Sequence, residues 1–273
     1  MSFEKKVLFT DLDDTLLTRS KELTPANASA IRRALDSGHK IVASTGRPLA
    51  STLPLLKKIH LDGEGCYVIT YNGGMITDLY HQKNLYKKTL PLPVVRHIFK
   101  EAAAYGIYCQ TYSDTSLLCK SYTEETALYY GRTPMPWQED PALPDSLTQE
   151  PVKVLTIHLG GKAKQEAYHQ AIAAWGKGQI STFYSNDYFL EHVACGISKG
   201  AAIEFLCRHL QIPMEQTLAI GDAENDIPML QRAHTGIAVA NADPAVKDAA
   251  DYVTTADCDN SALAEAIEKF MLL

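Results

Sequence analysis

Four short apolar runs frame the chain: Val7-Leu8-Phe9, Ile41-Val42-Ala43, Val68-Ile69 and Leu218-Ala219-Ile220. None alternates apolar with polar residues, so each reads as a strand buried on both faces, the pattern of a parallel sheet covered by helices. Between the first two runs, Thr24-Pro25 is a helix start, with Thr as N-cap and Pro in the first turn. Ala30, Ile31, Ala34 and Leu35 then form a helical stripe that Gly38 closes. Lys40 to Ser44 follows as a strand, Thr45-Gly46-Arg47-Pro48 leads into another helix, and Cys66 to Tyr71 is a third strand ending in Asn72-Gly73-Gly74. Strands alternating with helices predict a βαβαβ unit with right-handed crossovers.

From about residue 82 the pattern changes. Helices over Pro93–Tyr105, about Tyr122–Tyr130 and Lys162–Trp175 are interleaved with strands over Ile107–Tyr112, Ser116–Lys120, Lys153–Leu159, Ile180–Tyr184 and Tyr188–Val193, and Pro134–Pro151 reads as a proline-rich loop. Hairpin-like strand pairs with longer helices predict an α+β domain inserted into the first one. Gly160-Gly161-Lys162 lacks the spacing of a phosphate loop and reads as a turn opening a helix. The first texture returns at Ser198-Lys199-Gly200, which opens a helix through about Leu210. Strands at Thr217–Ile220, Gly236–Val239 and Tyr252–Thr254 follow, with helices around 244–250 and 262–271. The fold class is therefore α/β, with a core over 1–81 and 191–273 and an inserted α+β domain over 82–190.

Composition narrows the functions available. A chain of 273 residues with 46% hydrophobic and 21% charged residues is an ordinary globular mixture, large enough for two cores. The net charge of −6 and the isolated pairs Lys5-Lys6 and Lys87-Lys88 provide no footprint for nucleic acid. No apolar run approaches the roughly 20 residues of a membrane span. The start runs directly into a strand, without room for a signal peptide. Six scattered cysteines point to reduced thiols in the cytoplasm rather than a disulfide frame, and nine histidines show no zinc-ligand spacing.

The chemistry is concentrated where strands end. Asp11, Asp13 and Asp14 follow the first run within four positions. Carboxylates about 4 Å apart repel by roughly 4 kcal/mol at an effective dielectric near 20, so such a cluster calls for a cation or for one protonated member. Taken alone, a polar turn explains it equally well. Lys199, in a helix's first turn, opposes the helix dipole by roughly 0.3–1 kcal/mol and is better placed facing an anion, although a lone surface lysine would be unremarkable. Gly221-Asp222-Ala223-Glu224-Asn225-Asp226 is a second acid-loaded strand end. N-capping explains one such residue, not four polar groups in five positions.

Asp-Leu-Asp-Asp-Thr-Leu-Leu (11–17), Ser-Thr-Gly-Arg-Pro (44–48), Ile-Ser-Lys-Gly (197–200) and Gly-Asp-Ala-Glu-Asn-Asp (221–226) occur in this order. From end to end the chain resembles the haloacid dehalogenase-like superfamily, specifically its Cof-type phosphatases with a type IIB cap. The resemblance implies a Rossmann-like core, a cap that selects substrate, and magnesium-dependent hydrolysis of phosphomonoesters through an aspartyl-phosphate. It makes Asp11 the nucleophile and Asp13 the general acid and base, with Lys199 contacting both phosphate and Asp11. Leu12 and Gly46 (backbone N–H), Thr45, Lys199 and Asn225 are implied as phosphate donors. Asp11, Asp13 (through its carbonyl) and Asp222 are implied as magnesium ligands, with Asp226 behind them. Arg47 is assigned a structural role. Where Asp14 stands the commonest motif has Gly, and Asp14 too is assigned a structural role. The expected partner is a phosphorylated small molecule: a sugar phosphate, a nucleotide or a phosphorylated cofactor. Tyr112, Tyr122 and Tyr188 are the aromatic candidates for contacting it. A phosphomutase shares the chemistry, and a catalytically silent phosphometabolite-binding regulator is the alternative from another class, disfavoured by the intact Asp11 and Asp13. No sequence feature bears on oligomeric state.

Overall fold

Because every residue of β1 (Val7–Thr10) is buried, it needs neighbours on both edges and cover on both faces. A computed structural model describing residues 5–272 supplies them. After β1 come α1 (Pro25–Asp36), β2 (Lys40–Ser44), α2 (Leu49–Lys58), β3 (Cys66–Thr70), β4 (Met75–Asp78) and β5 (Lys83–Lys87). The middle of the chain forms α3 (Leu92–Ala104), β6 (Tyr108–Tyr112), β7 (Leu117–Cys119), α4 (Glu124–Arg132), β8 (Trp137–Glu139), β9 (Lys153–Ile157), α5 (Lys162–Trp175), β10 (Ile180–Tyr184) and β11 (Phe189–Ala194). The last third forms α6 (Lys199–Leu210), β12 (Thr217–Gly221), α7 (Ile227–Arg232), β13 (Thr235–Ala238), α8 (Pro244–Asp248), β14 (Tyr252–Val253) and α9 (Ala262–Phe270).

The chain forms two compact units. The first, made of residues up to Thr45, Leu55–Tyr86 and Ser198 onward, is built on an eight-stranded sheet ordered β14-β13-β12-β1-β2-β3-β4-β5. β1 sits near its middle, parallel to β12 and to β2, with Val7 opposite both Thr217 and Lys40. β3 adds to β2 in parallel, and only then does β4 turn back antiparallel. The predicted βαβαβ unit is therefore present, and its helix start is as read: Thr24 accepts from the Asn27 N–H at 3.2 Å.

The second unit comprises Gly46–Pro54 and Lys87–Ile197, with a six-stranded sheet ordered β10-β11-β9-β6-β7-β8. Its core gathers Val95, Ile98 and Phe99 of α3 with Val154, Tyr168, Ile172 and Leu190. The Gly160-Gly161 turn opens α5 as expected, with Gly161 at φ 108°. Within the unit Lys153 is buried: its Nζ lies 2.8 Å from Glu191 Oε2, donates to the Gly46 carbonyl at 3.0 Å and sits 5.0 Å from the Tyr112 ring. Tyr112 is buried, whereas Tyr122 and Tyr188 are exposed.

The boundaries lie later than residues 81 and 191. Lys83–Lys87 is the edge strand of the first sheet, carrying that unit to Tyr86, and Phe189–Ala194 lies wholly in the second sheet. All six cysteines are free. Among the described residues no helix is long and apolar enough to cross a membrane.

Candidate active site

Asp11 emerges where β1 ends. Its N–H donates to the Ile220 carbonyl at 3.0 Å, tying it to β12, the strand that ends in the second acidic stretch. The next five residues form one wide turn, with the Leu16 N–H donating to the Asp11 carbonyl and the Leu17 N–H to that of Leu12. The turn is broken at Asp13 and at Asp14, whose φ is 60°. Its width brings the Thr15 hydroxyl back to donate to Asp222 Oδ1 at 2.6 Å.

Lys199, first residue of α6, is fully buried and donates from Nζ to Asp11 Oδ1 and Asp226 Oδ1, each at 2.5 Å. Two glycines let the chain come this close. A Cβ on Gly200 would lie 2.3 Å from the Pro228 carbonyl oxygen, and one on Gly73 would lie 2.3 Å from that of Ser198. A third, Gly221, leaves room for Asp226, whose side chain a Cβ there would meet at 2.5 Å. Asp226 is fully buried, and its second oxygen accepts from the Asp222 and Ala223 N–H groups at 3.0 and 3.1 Å.

One carboxylate oxygen from each of Asp11, Asp222 and Asp226 lies within 4.8 Å of the others. Three carboxylates around one lysine leave an excess of two negative charges when all are ionised. Protons register that excess. Burial holds the Asp11 carboxyl well above its ordinary range; Lys199 opposes this, while Asp226, Asp222 and Asp13 add to it. Asp222 is pushed up to about 7 by burial and Asp226, against the Thr15 hydrogen bond and Lys199. Burial works to lower the Lys199 pKa, but Asp11 and Asp226 overcome it and raise the pKa, so Lys199 stays charged.

The cluster is a set of hard oxygen donors, which suits a divalent cation of the magnesium or calcium type and not a thiophilic one. A dication would match the excess charge. Asp11 Oδ2 has no hydrogen bond among the described residues, whereas both oxygens of Asp226 are engaged.

Of the residues singled out in the sequence, the structure brings Asp11, Lys199, Asp222 and Asp226 together. The carboxylate of Asp13 is half-buried and lies 3.1 Å from Lys21 Nζ, outside the three-carboxylate cluster. Leu12 and Thr45 are buried, and Gly46 and Arg47 half-buried. The Thr45 N–H donates to the Ile69 carbonyl at 2.8 Å. Asn225 Nδ2 donates to Asn72 Oδ1 at 3.0 Å. Three participants escape the sequence reading: Thr15, Lys21 and Asn72. Only Asn72 carried a signal, the polar Asn-Gly-Gly that ends a buried strand.

The sequence model of the haloacid dehalogenase-like hydrolases matches residues 8–267. A haloacid dehalogenase-like hydrolase from Bacteroides thetaiotaomicron, known from its crystal structure, is 29% identical with a TM-score of 0.89, covering 97% of this chain and 99% of that one. The 5-amino-6-(5-phospho-D-ribitylamino)uracil phosphatase of Bacillus subtilis strain 168 is 27% identical over 98% of this chain and 96% of its own length. A second phosphatase of that organism is 26% identical over 91% and 94%.

Proposed function

The chain belongs to the haloacid dehalogenase-like hydrolase family, and we propose that it hydrolyses phosphomonoesters of small metabolites through a phosphoryl group carried on Asp11, with magnesium as the metal. That it is a phosphomonoester-hydrolysing enzyme follows from the family and the phosphatases it resembles. The mechanism rests on one observation above the others: Lys199 Nζ stands 2.5 Å from a carboxylate oxygen of Asp11 in a buried, carboxylate-rich site.

In the first half-reaction Asp11 attacks phosphorus in line, and the P–O bond to the leaving oxygen breaks as the new P–O bond forms. Asp13 gives its proton to that oxygen. It then takes a proton from the water that attacks the phosphoryl group, so inorganic phosphate leaves and Asp11 returns as carboxylate. Lys199 stays charged throughout, facing both Asp11 and the phosphoryl oxygens. The backbone N–H groups of Leu12 and Gly46, the Thr45 hydroxyl and the Asn225 amide supply donors to the equatorial oxygens as charge moves onto them. Magnesium, held by Asp11, the Asp13 carbonyl and Asp222, with Asp226 orienting the cluster from behind, would neutralise the excess carboxylate charge and polarise the phosphoryl group. The second unit acts as the cap that selects the leaving group, and a phosphorylated small molecule such as a sugar phosphate, a nucleotide or a phosphorylated cofactor is the substrate.

The test is hydrolysis of a generic aryl phosphate. Asp11→Asn should lose at least about a thousandfold in kcat/KM, because a neutral amide lacks the attacking oxyanion, while its circular dichroism stays that of the parent. EDTA should stop the parent enzyme and added magnesium restore it. Parent-like turnover by Asp11→Asn would sink the covalent mechanism, and indifference to chelation would remove the metal.

A further inference from the structure

We propose that Asn72 is a positioning residue for phosphoryl transfer that acts through Asn225; this rests on the reading of Asn225 as a phosphate donor. After the last residue of β3 the chain takes three consecutive positive φ values: Tyr71 at 53°, Asn72 at 57° and Gly73 at 109°. The left-handed region is costly for an L side chain, less so for Asn and not at all for Gly. A buried Tyr and a buried Asn held there in succession are retained against that cost.

What the turn touches accounts for it. The Asn72 N–H donates to the Thr45 carbonyl at 3.0 Å, so the turn holds the backbone of one proposed phosphate donor. Gly73 lies against the Ser198 backbone, immediately before Lys199. Asn72 Oδ1 accepts from Asn225 Nδ2 at 3.0 Å. One short turn therefore meets three stretches that are far apart in sequence and that each carry a proposed phosphate contact.

The side chain of Asn72 is not placed for stability alone. Only 2% exposed, it leaves its Nδ2 buried with no hydrogen-bond partner among the described residues. Leaving a buried donor unpaired in this way is destabilising. The contact obtained in return commits one of the two Asn225 amide hydrogens, which fixes the rotation of that amide and leaves its other hydrogen for a ligand. Asn72 does not itself touch the substrate in this account.

The experiment measures what Asn225→Ala costs in kcat/KM on an aryl phosphate in three backgrounds: the parent, Asn72→Gly and Asn72→Asp. Glycine adopts a φ of 57° without penalty, so Asn72→Gly removes the side chain and little else. Aspartate is isosteric, tolerates the same backbone and keeps the Oδ1 acceptor. Asn225→Ala should cost tenfold or more in the parent and a similar factor in Asn72→Asp, but less than threefold in Asn72→Gly. An undiminished cost in Asn72→Gly overturns the proposal and leaves the phosphatase reading intact. A cost that collapses in Asn72→Asp overturns it as well, and decides the matter if Asn72→Gly does not fold. A cost below threefold in the parent overturns the prior reading of Asn225, and the proposal with it.

Discussion

Asp14 shows how a residue that departs from a motif can still satisfy the physics behind it. Its φ is 60°, so the position asks for a residue at ease in the left-handed region, and glycine meets that demand most simply. Aspartate is among the few others that tolerate it. Here it also accepts from Lys21 Nζ at 2.9 Å, while its carbonyl accepts from Asn241 Nδ2 at 2.8 Å. Both members of the Asp14–Lys21 pair are well exposed, and such pairs contribute about 0–1 kcal/mol. Asp14→Gly should therefore shift stability by less than about 1 kcal/mol and keep activity within threefold, because Lys21 retains Asp13 and the backbone is relieved. Asp14→Val, β-branched and unsuited to that φ, should lose about 1–2 kcal/mol. Urea denaturation and aryl phosphate hydrolysis of the two variants check both expectations.

At the scale of elements, the close packing of α6 against the start of α7 determines where Lys199 sits. Gly200→Ala places a methyl against the Pro228 carbonyl, which is backbone and cannot swing away. Overpacking of this kind costs about 1–3 kcal/mol, and because the displaced residue adjoins Lys199, kcat/KM should fall along with the denaturation midpoint. A variant that loses stability but keeps full activity would show that α6 absorbs the methyl without moving Lys199. The same elements show what could be read in advance. β1, β2, β3 and β12 announce themselves because strands buried on both faces must be apolar throughout. β4, β5 and β8 do not. β5 is an edge strand whose lysines face solvent, and β8, Trp137-Gln138-Glu139, is exposed at all three positions, so neither carries a hydrophobic signature. The first insertion boundary moves to Tyr86 because β5 lacks that signature, whereas the second moves because β11, buried at every position, pairs with β9 and β10 in the second sheet. Asp11, Lys199 and Asp222 were legible as charges in places that needed explaining. Thr15 owes its role to a wide turn that residue type does not announce, and Asn72, though marked by the Asn-Gly-Gly that ends a buried strand, meets Asn225 through a contact 153 residues along the chain that local sequence cannot show.

At the scale of the whole molecule, acid stability is linked to a residue of the second unit. His192 is buried, its Nε2 lies 3.0 Å from the Thr156 hydroxyl, and burial pushes its pKa down to about 3. A histidine that charges less readily when folded than when unfolded, where its pKa is near 6.5, contributes stability that is complete above about pH 6.5 and is lost as pH falls toward 3. Replacing it by a group that does not titrate, as in His192→Gln, should flatten the fall in stability between pH 6.5 and 4 by up to about 1.4 kcal/mol per pH unit. Urea midpoints measured across that range would reveal it, and an unchanged slope would assign acid sensitivity elsewhere. The ion pair between Asp11 and Lys199, 188 residues apart, has a different consequence, one for biosynthesis. At roughly 5–20 residues per second the ribosome makes Asp11 roughly 9–38 s before the lysine that neutralises it. All six strands of the second sheet have been synthesised by then, since the last of them ends at Ala194. On the nascent chain the inserted domain can fold first, and the phosphate chemistry can be assembled only after Lys199 and the acids that follow β12 have been made.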